Sequence, residues 1–112
     1  MPTATELAKR AEQARKLASE NKLTYTETAA RHLSGRPYMN SNLLIQEIMK
    51  TKPMADPQGA AGTVMWRAFG TNWNIQGKAP YWSLTEPQVG FYELLVHPES
   101  GKIYHFLFKP LK

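Results

Sequence analysis

Cysteine is absent from the 112-residue chain, which excludes both a disulfide framework and a thiolate metal site. Aspartate occurs once, at Asp56, and the three histidines are scattered without paired spacing. The carboxylate cluster of a divalent-metal nuclease and a histidine-based zinc set are therefore both poorly supplied. No apolar run approaches the roughly 20 residues that a membrane span needs, and the first residues lack the apolar core of a signal peptide. Missing too are a nucleophile elbow, a glycine motif that grips phosphate and an HExxH pair, which removes most hydrolase and nucleotide-binding chemistries that a sequence can reveal. Internal repeats and low-complexity tracts are absent.

What is present suits one compact domain over residues 1–112. Hydrophobic residues make up 42% of the chain and charged residues 21%, enough for a single packed core at this length. Fourteen Lys and Arg against nine Asp and Glu give a formal charge of +5, which favours a polyanionic partner through long-range attraction.

Thr3-Ala4-Thr5-Glu6 has capping-box form, and Leu7, Ala11, Ala14 and Ala18 recur at helical spacing toward Asn21, predicting a first helix with a thin apolar stripe. Its outward face carries Lys9, Arg10, Glu12, Arg15 and Lys16, a pattern that suits solvent and, as the sharper alternative, phosphate contact. A second capping-box pattern, Thr24-Tyr25-Thr26-Glu27, opens a short helix through His32, with Gly35 able to take positive φ past its end. His32 then falls in the last turn, where the negative end of the helix dipole favours an imidazolium. Ser41 caps a third helix from Asn42 to about Lys50, with Leu44, Ile45, Ile48 and Met49 buried and Glu47 off that face. Residues 52–62, with their prolines and glycines, read as an irregular connector within the domain.

The second half changes period. Thr63 to Phe69 and Val89 to Val96 are rich in aromatic and β-branched residues and read as strands. Pro98-Glu99-Ser100-Gly101 is a turn, and Lys102 to Phe108 is the returning arm of an antiparallel hairpin. Alternation along that arm puts Ile103, His105 and Leu107 on one face and Tyr104, Phe106 and Phe108 on the other. A further short strand is expected near Trp73 to Ile75, followed by a long loop through Pro80 and Pro87. The fold class is α+β, with two to three N-terminal helices packed on a small three- to four-stranded antiparallel sheet.

His, Arg, Tyr and Glu supply the reactive chemistry, and the densest stretch is the elbow Arg31 to Ser41 between the second and third helices. That set suits metal-free cleavage of RNA. A base takes the 2′-OH proton, an acid protonates the leaving 5′-oxygen and a cation stabilises the phosphorane. His32 and His105 make such a pair if the fold brings the end of the second helix beside the last strand, with Arg36 and Tyr38 on a non-helical arm after it. Each residue also has a plain structural reading: a satisfied histidine for His32 and His105, a surface ion pair for Arg36, an aromatic plug for Tyr38. Glu93 serves either as a base or as a solvent-facing strand residue, and His97 beside the turn reads as an exposed bystander. Trp66, Trp73, Tyr81 and Trp82, interleaved with Arg67, Lys78, Asn72 and Asn74, offer stacking surfaces for unpaired bases, the alternative being that they fill the sheet's core.

The run Thr28-Ala29-Ala30-Arg31-His32, then Arg36-Pro37-Tyr38-Met39-Asn40-Ser41 and Leu44 to Met49, resembles the C-terminal toxin domains of bacterial polymorphic toxins, of the contact-dependent inhibition, filamentous haemagglutinin and Rhs type. The similarity extends through Asp56-Pro57-Gln58-Gly59, Gly62 to Trp66, Tyr92-Glu93-Leu94 and Ile103-Tyr104-His105-Phe106, and so spans roughly residues 24 to 108. The resemblance implies a small ribonuclease fold of the barnase, EndoU, colicin and RelE group. It further implies a metal-independent endoribonuclease that needs no cofactor and cleaves RNA, with tRNA the expected substrate, in the cytoplasm of a competitor bacterium. Delivery would be as part of a larger secreted protein, and a cognate immunity protein would protect the producer. On the matching positions, catalytic roles fall to His32 and His105 with Arg36 and Tyr38 at the phosphate, and supporting roles to Ser41 and Glu47. Residues 1–22 lie outside the match and read as a helix derived from linker, leaving 23–112 as the core. The competing function, from a different class, is a non-catalytic basic module that binds RNA through its first helix and loop aromatics.

Overall fold

The computed structural model describes residues 2–72 and 88–111. The strand expected near Trp73 to Ile75 lies outside the described residues, as do Trp73, Asn74, Lys78, Tyr81 and Trp82. Helix α1 spans Ala4–Ser19, strand β1 Thr24–Tyr25, helix α2 Glu27–Ala30 and helix α3 Asn42–Ile48. Between α2 and α3 come two 3-10 turns, Leu33–Gly35 and Pro37–Asn40. Strands β2 (Val64–Asn72), β3 (Gln88–His97) and β4 (Lys102–Pro110) complete the chain. The fold is α+β as expected, with a sheet ordered β1-β4-β3-β2.

The sheet is mixed. β2, β3 and β4 are antiparallel neighbours, whereas the two-residue β1 runs parallel to β4, pairing Thr24 with Lys102 and Tyr25 with Ile103. That pairing corrects the expected start of α2. With Thr24 and Tyr25 held by the sheet, the cap moves to Thr26, whose hydroxyl accepts from the Ala29 amide. The helix ends at Ala30, so His32 is not in its last turn but precedes the first 3-10 turn, and Gly35 is not among the residues with positive φ.

Helix α1 starts where its capping box predicts, with Thr3 and Glu6 exchanging side-chain and backbone hydrogen bonds. Its stripe of Ala11, Ala14 and Ala18 is completely buried in the core. Methyl side chains let the helix approach the sheet closely, so the packing at this face is between backbone and core rather than between long side chains. Two arginines from the expected solvent face fasten it: Arg10 donates to the Thr63 carbonyl at 3.0 Å and Arg15 to the Met49 carbonyl at 2.7 Å. The helix is thus integral to the core.

One face of the sheet presents Trp66, Ala68, Tyr92, Leu94, Val96, Phe106 and Phe108 to the helices. Ile103 joins this face, contrary to simple alternation. Leu95 pairs with His105 and Val96 with Ile103, leaving Tyr104 as the extra residue of a β-bulge that reverses the parity beyond it. Near the other end, Gly90 allows β3 and β4 to meet, since a Cβ there would stand 2.1 Å from the Lys109 carbonyl oxygen. The sheet's opposite face, turned from the helices, carries Met65, Arg67, Phe69, Phe91, Glu93, Leu95, His105, Leu107 and Lys109.

Candidate active site

Register assembles the site. Arg67 of β2 stands directly across from Glu93 of β3, and Leu107 of β4 stands across from Glu93 on the other side. His105 and Lys109 flank Leu107 at two residues' distance along β4, so both reach Glu93 diagonally on the same face. Arg67 grips one carboxylate oxygen, Oε2, through Nη2 at 2.6 Å and Nε at 3.1 Å. Lys109 Nζ lies 3.4 Å from that oxygen, and His105 Nε2 lies 3.7 Å from Oε1. The Glu93 side chain is only 6% exposed, whereas the three basic groups around it are each substantially open to solvent.

Burial alone would push the Glu93 carboxyl pKa up, but the Arg67 hydrogen bonds and the charges of Lys109 and Arg67 outweigh it and hold the group below its ordinary 4.5. For His105 burial is the leading influence and lowers its pKa from 6.5; Glu93 pulls it upward, while the charges of Arg36 and Lys109 add to the lowering. A cleft of about 390 Å³ opens beside Glu93, His105 and Lys109, walled by Asp56, Pro57 and Gln58 of the connector. Asp56 shapes that wall by accepting from the amides of Gln58 and Ala60. A larger hollow of about 540 Å³ between α1 and the same connector touches none of the four clustered groups. Among the described residues no group of three or more His, Asp or Glu is placed to hold a metal ion, and no helix is long and apolar enough to cross a membrane.

The elbow docks on β4 rather than on this cleft. Arg36 donates to the Phe106 carbonyl at 3.0 Å, and the Tyr38 hydroxyl accepts from the Phe108 amide at 3.0 Å. Both bonds satisfy backbone groups along the edge that the short β1 leaves uncovered, which is how a sheet edge is protected from pairing elsewhere. Tyr38 sits in a 3-10 turn instead of a non-helical arm, its ring edge-on to Tyr92 and Phe106. Of the elbow's groups, Arg36 is the one whose charge reaches His105.

The remaining candidates separate clearly. His32 is exposed and does not line the cleft, so the partner that the structure gives His105 is Glu93. Ser41 caps α3 by accepting from the Leu44 amide, and Glu47 pairs with Lys50 at the surface. Trp66 is fully buried, the core alternative of its two readings. His97 is tied to Ser100 and stacked on Tyr104, not a free bystander. Lys109 was missed by sequence reasoning. A usable signal exists: Arg67, Glu93, His105 and Lys109 each adjoin a large core residue, namely Trp66, Leu94, Phe106 and Phe108, and so share the outward parity.

No protein-family model matches the chain, and no curated protein or solved structure is found to be similar to it.

Proposed function

We propose that this protein is a metal-independent endoribonuclease with Glu93 as general base, His105 as general acid, and Arg67 and Lys109 as the phosphate-holding cations. The observation that carries the reading is a buried carboxylate ringed by a histidine, an arginine and a lysine at the mouth of a cleft, on the sheet face turned from the helices. One arginine already balances the carboxylate, so the lysine and the histidine leave the cluster with surplus positive charge. That surplus suits a phosphodiester, whose charge grows from one to two negatives in the phosphorane.

In the proposed step the Glu93 carboxylate removes the 2′-OH proton as that oxygen forms a bond to phosphorus. The bond to the 5′-oxygen breaks as His105 imidazolium protonates it, leaving a 2′,3′-cyclic phosphate and a free 5′-hydroxyl. In-line displacement needs base and acid on opposite sides of phosphorus. His105, with 40% of its side chain exposed, has room to turn into the cleft while Arg67 anchors Glu93. The toxin reading extends this: RNA, with tRNA as the expected substrate, is cleaved in a competitor's cytoplasm, and a cognate immunity protein blocks the cleft. The net charge of +5 supports a polyanionic substrate.

Purified protein incubated with total RNA in EDTA should yield fragments with cyclic phosphate and 5′-hydroxyl ends. Saturable binding with intact RNA would instead identify the non-catalytic module. The pH profile is a second check. The active form carries Glu93 ionised and His105 protonated, so kcat/KM should rise as pH passes the lowered Glu93 pKa and fall as pH passes the lowered His105 pKa. Both limbs lie on the acid side of the ordinary values, so the optimum should fall below pH 6.5. A plateau extending to pH 8 would remove His105 from the acid role.

A further inference from the structure

We infer that Phe69, backed by Phe91, is a nucleobase-stacking subsite one nucleotide away from the reacting phosphate, an inference that rests on the ribonuclease reading above. The two residues are direct cross-strand partners on β2 and β3, with ring centroids 5.5 Å apart and planes at 77°. They occupy the same face as the ionic cluster, each two positions along its strand from a member of it: Phe69 from Arg67 and Phe91 from Glu93. Two residues of a strand cover about 7 Å, close to the spacing of successive phosphates in an extended single strand. Lys109 lies across from Phe91, so a cation stands beside the aromatic pair as well as beside Glu93.

Phe69 is 65% exposed although it is among the largest apolar side chains of the sheet. Its partner holds the ring without covering it. An aromatic surface left open beside cations suits the two halves of a nucleotide, π-face and phosphate, and tolerates any base because every base has a π-face.

A DNA oligomer containing a single ribonucleotide fixes the cleavage point, since only that residue supplies a 2′-OH. Its bases on either flank can then be removed one at a time. For the wild-type protein, loss of the base on one flank should lower kcat/KM by about ten- to a hundredfold, the range for one stacked base. Phe69→Ala should lose the same factor on the intact oligomer and nothing further on the abasic one, and Phe69→Trp should recover it. The thermal melt should stay cooperative because the side chain is largely exposed. Wild-type rates in Phe69→Ala, or an abasic penalty that persists at full size in that variant, would overturn the subsite. If the wild type cleaves total RNA but neither oligomer, the same comparison is made with an all-RNA oligomer. If it cleaves neither oligomer and also leaves total RNA intact, the ribonuclease reading fails. The subsite is then judged by fluorescence anisotropy with all-deoxy oligomers at low salt, where equal Kd values for wild type and Phe69→Ala overturn it and a tenfold weaker Kd upholds it.

Discussion

Glu93→Gln should reduce RNA cleavage by about a hundred- to ten-thousandfold, the range for removing a positioned general base, while the protein remains folded. The substitution keeps the shape and one accepting oxygen for Arg67 but cannot accept the 2′-OH proton. Arg67 and Lys109 are 47% and 57% exposed, so water solvates them when the carboxylate charge is gone. The stability cost should therefore stay near the worth of a charged hydrogen bond, about 1.5–3 kcal/mol. The substitution also removes the influence that holds the His105 pKa up, so the alkaline limb of any residual activity should move to lower pH. His32→Ala is the informative contrast. A His32–His105 dyad would make it as damaging as Glu93→Gln, whereas an exposed residue outside the cleft should leave kcat/KM within about twofold. Equal losses in the two variants would return the base role to the elbow.

The difference between those two expectations shows what the chain reveals in one dimension. Caps at Thr3 and Ser41 are local, since donor and acceptor lie three residues apart, and both are legible. The three long strands declare themselves by composition. The site is not local. Arg67 meets Glu93 across 26 residues of chain, and a one-residue slip would place Arg67 against a core position of β3. Composition does not encode that register; packing of Trp66, Leu94 and Phe106 in one row against the helices selects it. The bulge at Tyr104 and the two-residue β1 escape sequence reading for the same reason, because each depends on a partner strand. His105 could be named as an imidazole among apolar neighbours, but its partner could be found only once the neighbouring strand was in place.

Because the row that fixes the register also fixes the site, Trp66→Ala should cost more than truncation to alanine of any other residue on the sheet's helix-facing side. Trp66 is fully buried, sits across from Leu94, and through it lines up with Phe106. Truncating a buried Trp leaves a cavity that a close-packed interior fills only in part, at about 3–5 kcal/mol. For a domain of ordinary stability, about 5–15 kcal/mol, that is about a fifth of the total or more and corresponds to a fall in Tm of roughly 12 °C or more. Trp66→Phe should cost much less. It keeps a large ring, and the indole N–H that it removes has no hydrogen-bond partner among the described residues, so no bond to them is lost with it. Cleavage by Trp66→Ala should fall in step with the folded fraction measured by circular dichroism, and should return toward wild type at temperatures where the variant is folded. The stacking alternative for Trp66 predicts the reverse, an unchanged melt with weakened RNA binding. That outcome would require the ring to leave a core in which it is the largest completely buried side chain.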